Sequence, residues 1–284
     1  MKHQISAEHT PLNSSRRVPT LQGMFYPEDA AGLNALLGSF FASTPASPAP
    51  SPAGILVPHA GYIYSGQIAA YAYARIDPAF DGTFVIIGTG HQGYPTATAD
   101  FAWDTPIGEV PADTRFITAL SNALPLSNEI LSRQENSLEV QMPFIRYRFP
   151  QAKVAPILIG DQSPLGASYV AKAVAAAATA CGYAPGRDMI IVASGDCSHY
   201  VPADAAEAAD IPVLEAIADL DTNRFYQRLA ELRPSMCGYG CIAAMAEAAA
   251  QFGASSAAIL IYGTSGDATG DMREVVGYAA MEVR

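Results

Sequence analysis

Residues 54–66 read GILVPHAGYIYSG: four apolar residues stop at Pro58, a histidine follows, and from Ser65 the chain takes up helical spacing in SGQIAAYAYARI. An apolar run this short, with no polar alternation, suits a strand covered on both faces, and the segment behind it suits the covering helix. The same unit recurs along the chain. FVIIG ends at Thr89, APILIG at Asp161, MIIVASG at Asp196 and AAILIYG at Thr264. Helical patterns stand between them, from about Ser168 to Ala180, in NRFYQRLAEL and in CIAAMAEAAAQF. This alternation predicts an α/β fold: an α/β/α layered sandwich around a central, mostly parallel sheet. The final segment VVGYAAMEV reads as a closing strand, and an antiparallel placement would make the sheet mixed.

Upstream of the first unit, PEDAAGLNALLGSFF from Pro27 places an N-terminal proline and acidic residues ahead of apolar positions at helical spacing, which predicts a helix. The following TPASPAPSP sustains neither helix nor strand and reads as an exposed connection. Residues 1–17 are polar and aperiodic, and His3 and His9 have no partner at ligand spacing, so this segment is expected to be a mobile tail. One domain is then expected over residues 18–284. No internal repeat is visible.

Composition removes several function classes. Half of the 284 residues are apolar, enough for a substantial core, and the formal charge of −11 repels phosphate backbones, so nucleic acid is not an expected partner. No run reaches the roughly 18 to 20 apolar residues of a membrane span. The N-terminal stretch MKHQISAEHTPLNSSRR lacks the apolar core of an export signal, which makes a cytoplasmic location the expectation. Cys181, Cys197, Cys237 and Cys241 are too few and too irregular for a disulfide framework, and their spacing does not form a structural zinc site. They are expected to be reduced and available for chemistry.

In sheets of this kind ligands bind beyond the carboxyl ends of the strands, where loops converge. His59 follows GILV, His91 follows FVIIGTG, and Asp196 and His199 follow MIIVASG, so three of the five histidines fall at predicted strand ends. A lone histidine in such a place is ordinarily a hydrogen-bonded loop residue. Three facing one crevice are how a metal or acid/base site is assembled from distant sequence. Cys237, in RPSMCGYGCIAAMAEAAA, stands just ahead of an evident helix, where the positive end of the helix dipole favours a thiolate; a small buried apolar role fits Cys181 and Cys241 better. Asp267 in YGTSGDATGD and Glu139, read as opening a helix in ENSLEVQMPF, are candidates to orient a ligand histidine, with plain capping as the alternative. Tyr62 and Tyr64 follow His59 closely and either touch a substrate or pack.

The stretches PHAGYIYSG, GTGHQGY, SLEVQMPF, SGDCSHY, MCGYGCIA and YGTSGDATGD, in that order, resemble the Memo family, which is similar in fold to the class III extradiol ring-cleaving dioxygenases. The resemblance runs from about Val18 to the C-terminus. It implies a metal centre of His59, His91 and Cys237, with His199 as acid/base histidine and Asp196 beside it. Fe(II) is the metal it implies, while zinc and copper also accept two imidazoles and a thiolate. The implied activity is a non-heme dioxygenase acting on a catechol-like small aromatic. In those dioxygenases the third iron ligand is a carboxylate, where this chain has the Cys237 thiol. Asn136 stands where the family pattern carries a histidine. The resemblance also implies a second reading, a non-catalytic metal-binding or scaffold protein working with AMMECR-type and radical SAM partner proteins. The residues alone leave open a third, a metal-free hydrolase with Cys237 as nucleophile and His199 or His91 as base. Neither oligomeric state nor substrate identity is legible.

Overall fold

The computed structural model describes residues 15–45 and 50–284. Its strands, in chain order, are β1 (Arg16–Arg17), β2 (Gly54–Val57), β3 (Thr83–Thr89), β4 (Ala97–Thr98), β5 (Ala102–Thr105) and β6 (Gly108–Val110). There follow β7 (Lys153–Ile159), β8 (Met189–Ser194), β9 (His199–Val201), β10 (Ala257–Thr264) and β11 (Val275–Val283). The main sheet runs β10-β11-β2-β8-β3-β7-β4, with β9 added alongside β11. Its centre, β2, β8, β3 and β7, is parallel, while β11 lies antiparallel to both β2 and β10, and β4 antiparallel to β7. The sheet is therefore mixed, and VVGYAAMEV is its antiparallel strand β11.

Every residue of β2, β3 and β8 is buried, the burial expected of apolar runs without alternation. Side chains alternate between two cores. Leu56, Val85 and Ile87 pack on one face, and Ile55, Val57, Phe84 and Ile86 on the other. The first face is covered chiefly by the helices Pro164–Cys181 and Tyr239–Ala250, whose alanines let helix and sheet approach closely. The second is covered by the helices Ala30–Ala42, Tyr62–Tyr73 and Gln141–Arg148 and is rich in rings: Phe144 stacks on Tyr73 at 5.2 Å and Phe149 lies 5.0 Å from Phe84. The long helix Pro164–Cys181 starts behind Ser163, whose hydroxyl caps Gly166 N, and ends at Gly182 with φ +67°.

Two expectations change. The helix read from Pro27 begins at Ala30, because Asp29 caps it by accepting from Gly32 N. Glu139 stands in the first turn of a four-residue helix, Asn136–Glu139, capped by Glu135 and followed through Val140 by the helix Gln141–Arg148, so ENSLEVQMPF opens a helix as read. Residues 16 and 17 do not belong to a mobile tail. Arg16 and Arg17 form β1 beside β5, and Arg17 is buried, donating through Nη1 to Glu139 at 2.6 Å with its guanidinium 4.3 Å from the Trp103 ring. Residues 1–14, with His3 and His9, and residues 46–49 of the connection lie outside the described residues. Among the described residues no helix is long and apolar enough to cross a membrane.

Candidate metal centre

Strands β2, β8 and β3 are in-register parallel neighbours, with Val57 opposite Ser194 and Ile87 opposite Ala193. Each delivers a polar residue two positions past its end: His59, Asp196 and His91. Neighbouring strands are about 4.8 Å apart, so three such residues converge. Cys237 arrives from the other side, ahead of the helix Tyr239–Ala250. The ligand-capable atoms of His59, His91 and Cys237 all lie within 4.8 Å of one another, and so do those of Asp196, His199 and Cys237.

Two glycines make this convergence possible. Gly195 and Gly238 lie back to back: a Cβ on Gly238 would stand 2.7 Å from Gly195 Cα and 2.8 Å from Ser194 O. Gly238 also has φ +74°, a conformation that disfavours any side chain. The turns carrying Asp196 and Cys237 are thereby joined, Cys237 N donating to Asp196 O at 3.2 Å and Asp196 N to Cys237 Sγ at 3.4 Å.

The hydrogen bonds settle which ring nitrogen of each histidine is available. Ser194 Oγ gives its single proton to Ser137 O at 2.5 Å, so at 3.2 Å from His59 Nδ1 it can only accept. His59 is therefore protonated at Nδ1, and its Nε2 lone pair faces Cys237 Sγ at 3.1 Å. His91 Nδ1 donates to Glu135 Oε1 at 2.8 Å. His199 Nδ1 donates to Ser235 O at 2.9 Å. In all three imidazoles Nδ1 is held from behind and Nε2 is the nitrogen left for a ligand, the arrangement in which histidine binds a metal.

Burial pushes His59 below the usual histidine range, against the pull of Asp196, and so keeps it neutral. His91 moves the other way, raised chiefly by its hydrogen bond to Glu135. Burial alone would raise Glu135, but the bonds from the His91 side chain and from the backbone of Ser137 and His91 leave it lowered. Enclosure of the sulfur, with the Asp196 carboxylate second, pushes the Cys237 thiol well above its ordinary value. Helix-start placement does not outweigh this, so the free thiolate expected from the sequence is not favoured. The Cys237–His59 pair rests as thiol and neutral imidazole.

Other expected residues separate into those that reach the site and those that do not. Asn136 Nδ2 donates to His59 O at 3.0 Å. Asp196 Oδ1 accepts from His59 N at 2.7 Å. Glu139 touches no ligand histidine; it binds the N-terminal segment through Arg17, Thr20, Leu21 N and Tyr26 OH. Asp267 accepts from Thr264 N at 2.7 Å and shapes its own loop. Tyr62 is buried, its hydroxyl on Val140 O at 2.6 Å and its ring 4.9 Å from Phe144, whereas Tyr64 borders the cleft.

Sequence reading missed Glu135 and Ser194, which hold Nδ1 of His91 and of His59. It also missed Asp210, which accepts from Ser198 Oγ at 2.7 Å and Tyr262 OH at 2.8 Å and anchors the loop between Asp196 and His199. A carboxylate directly beside Asn136 was the available signal for Glu135. Asp210 lies inside a helix and gave none.

A cleft of about 590 Å³ opens beside the cluster, bordered by Asn136, Asp196 and His199 and walled by Phe25, Tyr64, Tyr200 and Tyr278. Fold and cluster define an α/β chain with two histidines and a cysteine that could hold a metal gathered at the carboxyl edge of its sheet. Comparison with known proteins agrees over nearly the whole chain. The family model described as Memo-like protein matches residues 17–282. A MEMO1 family protein of Methanococcoides burtonii is 40% identical over 271 residues, covering 94% of this chain and 100% of that one. Another, of Archaeoglobus fulgidus, is 37% identical over 270 residues, covering 94% and 99%. The chain belongs to the Memo-like protein family. A solved chain, an uncharacterized protein from Escherichia coli K12, is 13% identical with a TM-score of 0.45, covering 94% of this chain and 98% of that one. At that TM-score the likeness assigns neither fold nor function.

Proposed function

We propose that His59, His91 and Cys237 hold one divalent transition metal, with Fe(II) the first candidate, and that the adjoining cleft takes a catechol-like phenolic for oxygen-dependent ring chemistry. The observation that carries the metal is the set of backed imidazoles: His59 and His91 each have Nδ1 occupied by a fixed acceptor, leaving Nε2 beside a thiol. Three protein donors next to a cleft suit an open site better than a closed structural one. The raised thiol of Cys237 fits the same reading, since a nearby cation is what ionises such a group. It counts against a metal-free hydrolase with His199 or His91 as base, whose nucleophile would need a thiolate that enclosure of the Cys237 sulfur opposes.

When bound, Fe(II) would supply the one-electron redox chemistry through which O₂ reacts with an aromatic substrate. The chain's own residues do the rest. His199, with Nδ1 held by Ser235 O, presents Nε2 to the cleft as the acceptor for a phenolic proton and later returns it. Asp196, fixed by His59 N, borders the same space and keeps the proton-bearing groups aligned. Asn136 holds the His59 backbone while bordering the cleft. Aromatic walls give a flat ring a surface to stack on.

Anaerobic purification, Fe(II) reconstitution and metal analysis test the first half. One iron per chain is expected, lost in His59→Ala. Oxygen uptake on a panel of catechols tests the second, with uptake abolished in His199→Ala while iron is retained. Absence of stoichiometric metal overturns the whole reading. Stoichiometric metal without turnover of any catechol removes the enzyme and favours the non-catalytic alternative, with AMMECR-type or radical SAM proteins as the partners to seek by co-purification.

A further inference from the structure

The cleft has a charge as well as a shape. Three carboxylates border it, Asp196, Asp271 and Glu274, and no lysine or arginine is among its lining residues. Asp271 is clasped by Arg273, whose Nη2 lies at 2.7 Å and Nε at 3.0 Å while its side chain is 87% exposed. That pair is close to neutral. Asp196 at the buried end and Glu274 at the exposed end remain, and the chain's overall charge of −11 has the same sign. Rings line the same cleft. Tyr64 and Tyr200 are 40% and 76% exposed, and Phe25 and Tyr278 complete the walls. Tyr200 has φ +58°, unusual for a bulky residue, and its ring is 5.9 Å from that of His199.

A cation placed among these groups gains from the carboxylates and from the ring faces together. An anion meets the carboxylates Asp196 and Glu274, and no lysine or arginine lines the cleft to offset them. A volume of about 590 Å³ suits one substituted ring rather than a chain of sugars or bases. Resting on the reading that a phenolic ring binds beside the metal, we propose that this cleft selects phenolics whose side chain carries a protonated amine and rejects those carrying a carboxylate or phosphate. Glu274 is the residue that reads the charge, and Tyr200 supplies a face for the ammonium-bearing side chain.

Tyramine, 4-ethylphenol and 4-hydroxyphenylacetate share a ring and differ in side-chain charge, so equilibrium dialysis of the three against the chain, metal-free and anaerobically Fe(II)-loaded, is the direct test. Expected is the order amine, neutral, carboxylate, with at least a tenfold gap between the first and last at low salt. The gap should narrow in about 0.5 M salt, where such charges are screened, and in Glu274→Gln. Tyr200→Ala should weaken tyramine more than 4-ethylphenol. Equal binding of the three, a preference for the carboxylate, or no binding to either form overturns the inference. Its failure is separable from that of the metal reading, because iron content and catechol turnover are measured independently of this order.

Discussion

Glu135 and Glu139 lie four residues apart around one short turn, both buried, yet they hold different parts of the molecule. Glu139 is enclosed by five donors, Arg17 Nη1, Thr20 N, Thr20 Oγ1, Leu21 N and Tyr26 OH, at 2.6 to 2.9 Å. It fastens the N-terminal segment, including the Phe25 that borders the cleft, to the body of the protein. Glu135 takes two of its bonds from His91 and one from Ser137 N, and its imidazole partner keeps one nitrogen unbonded toward the cluster. A carboxylate surrounded by peptide and guanidinium donors acts as a rivet. One that holds a histidine from behind sets up chemistry in front of it.

This contrast can be broken experimentally. The largest effect is expected from Glu139→Ala, which leaves Arg17 buried without its partner and should cost about 3–5 kcal/mol in denaturant unfolding. Any Glu139→Ala chain that folds should still take up one iron; normal stability would refute the rivet. Glu135→Gln should do the reverse, weakening metal affinity about 10- to 100-fold while unfolding shifts much less. An unchanged affinity in a competition assay with a chelator would show that the His91 tautomer does not depend on Glu135.

The pH dependence should be smaller per step and opposite for two histidines. His91, raised by Glu135, contributes folding stability below the ordinary value of 6.5 that is lost as pH rises through its raised one. Glu135, lowered, contributes above 4.5 and loses its contribution as pH falls through its lowered value, so the pair supports the metal-free fold best between about 4.5 and 6.5. His59, lowered by burial, contributes above 6.5 and loses it as pH falls through its lowered value. On the proposed reading a metal would displace the Cys237 proton and, below the raised value of His91, the Nε2 proton of that imidazole as well, so affinity should rise at least about tenfold per pH unit between roughly pH 6 and 8. Chelator competition across that range checks the slope, and a flat profile would remove Cys237 as a ligand.

The sequence revealed the strand ends well because the evidence there is local: an apolar run, a stop, and a polar residue within two positions. His59, His91 and Asp196 were legible for that reason, and β2, β8 and β3 bring them together by simple register. Cys237 needed the glycines and helix behind it. Glu135 and Glu139 were confused because a polar stretch such as RQENSLE carries no period by which to tell which carboxylate faces which partner. Their partners lie 44 and more than 110 residues away. Arg17 was misread for a related reason, since a buried arginine looks like any tail arginine until Glu139 and Trp103 are folded around it.

The paired glycines, Gly195 and Gly238, carry a consequence for how this chain tolerates change. Neither bears a side chain that touches a ligand or the cleft, yet any added carbon at Gly238 would drive one turn into the other. In a saturation-mutagenesis library scored for metal uptake, Gly238 should therefore appear as intolerant as Cys237 itself. Its drop-outs would map a seam between two loops 41 residues apart rather than a point of chemistry.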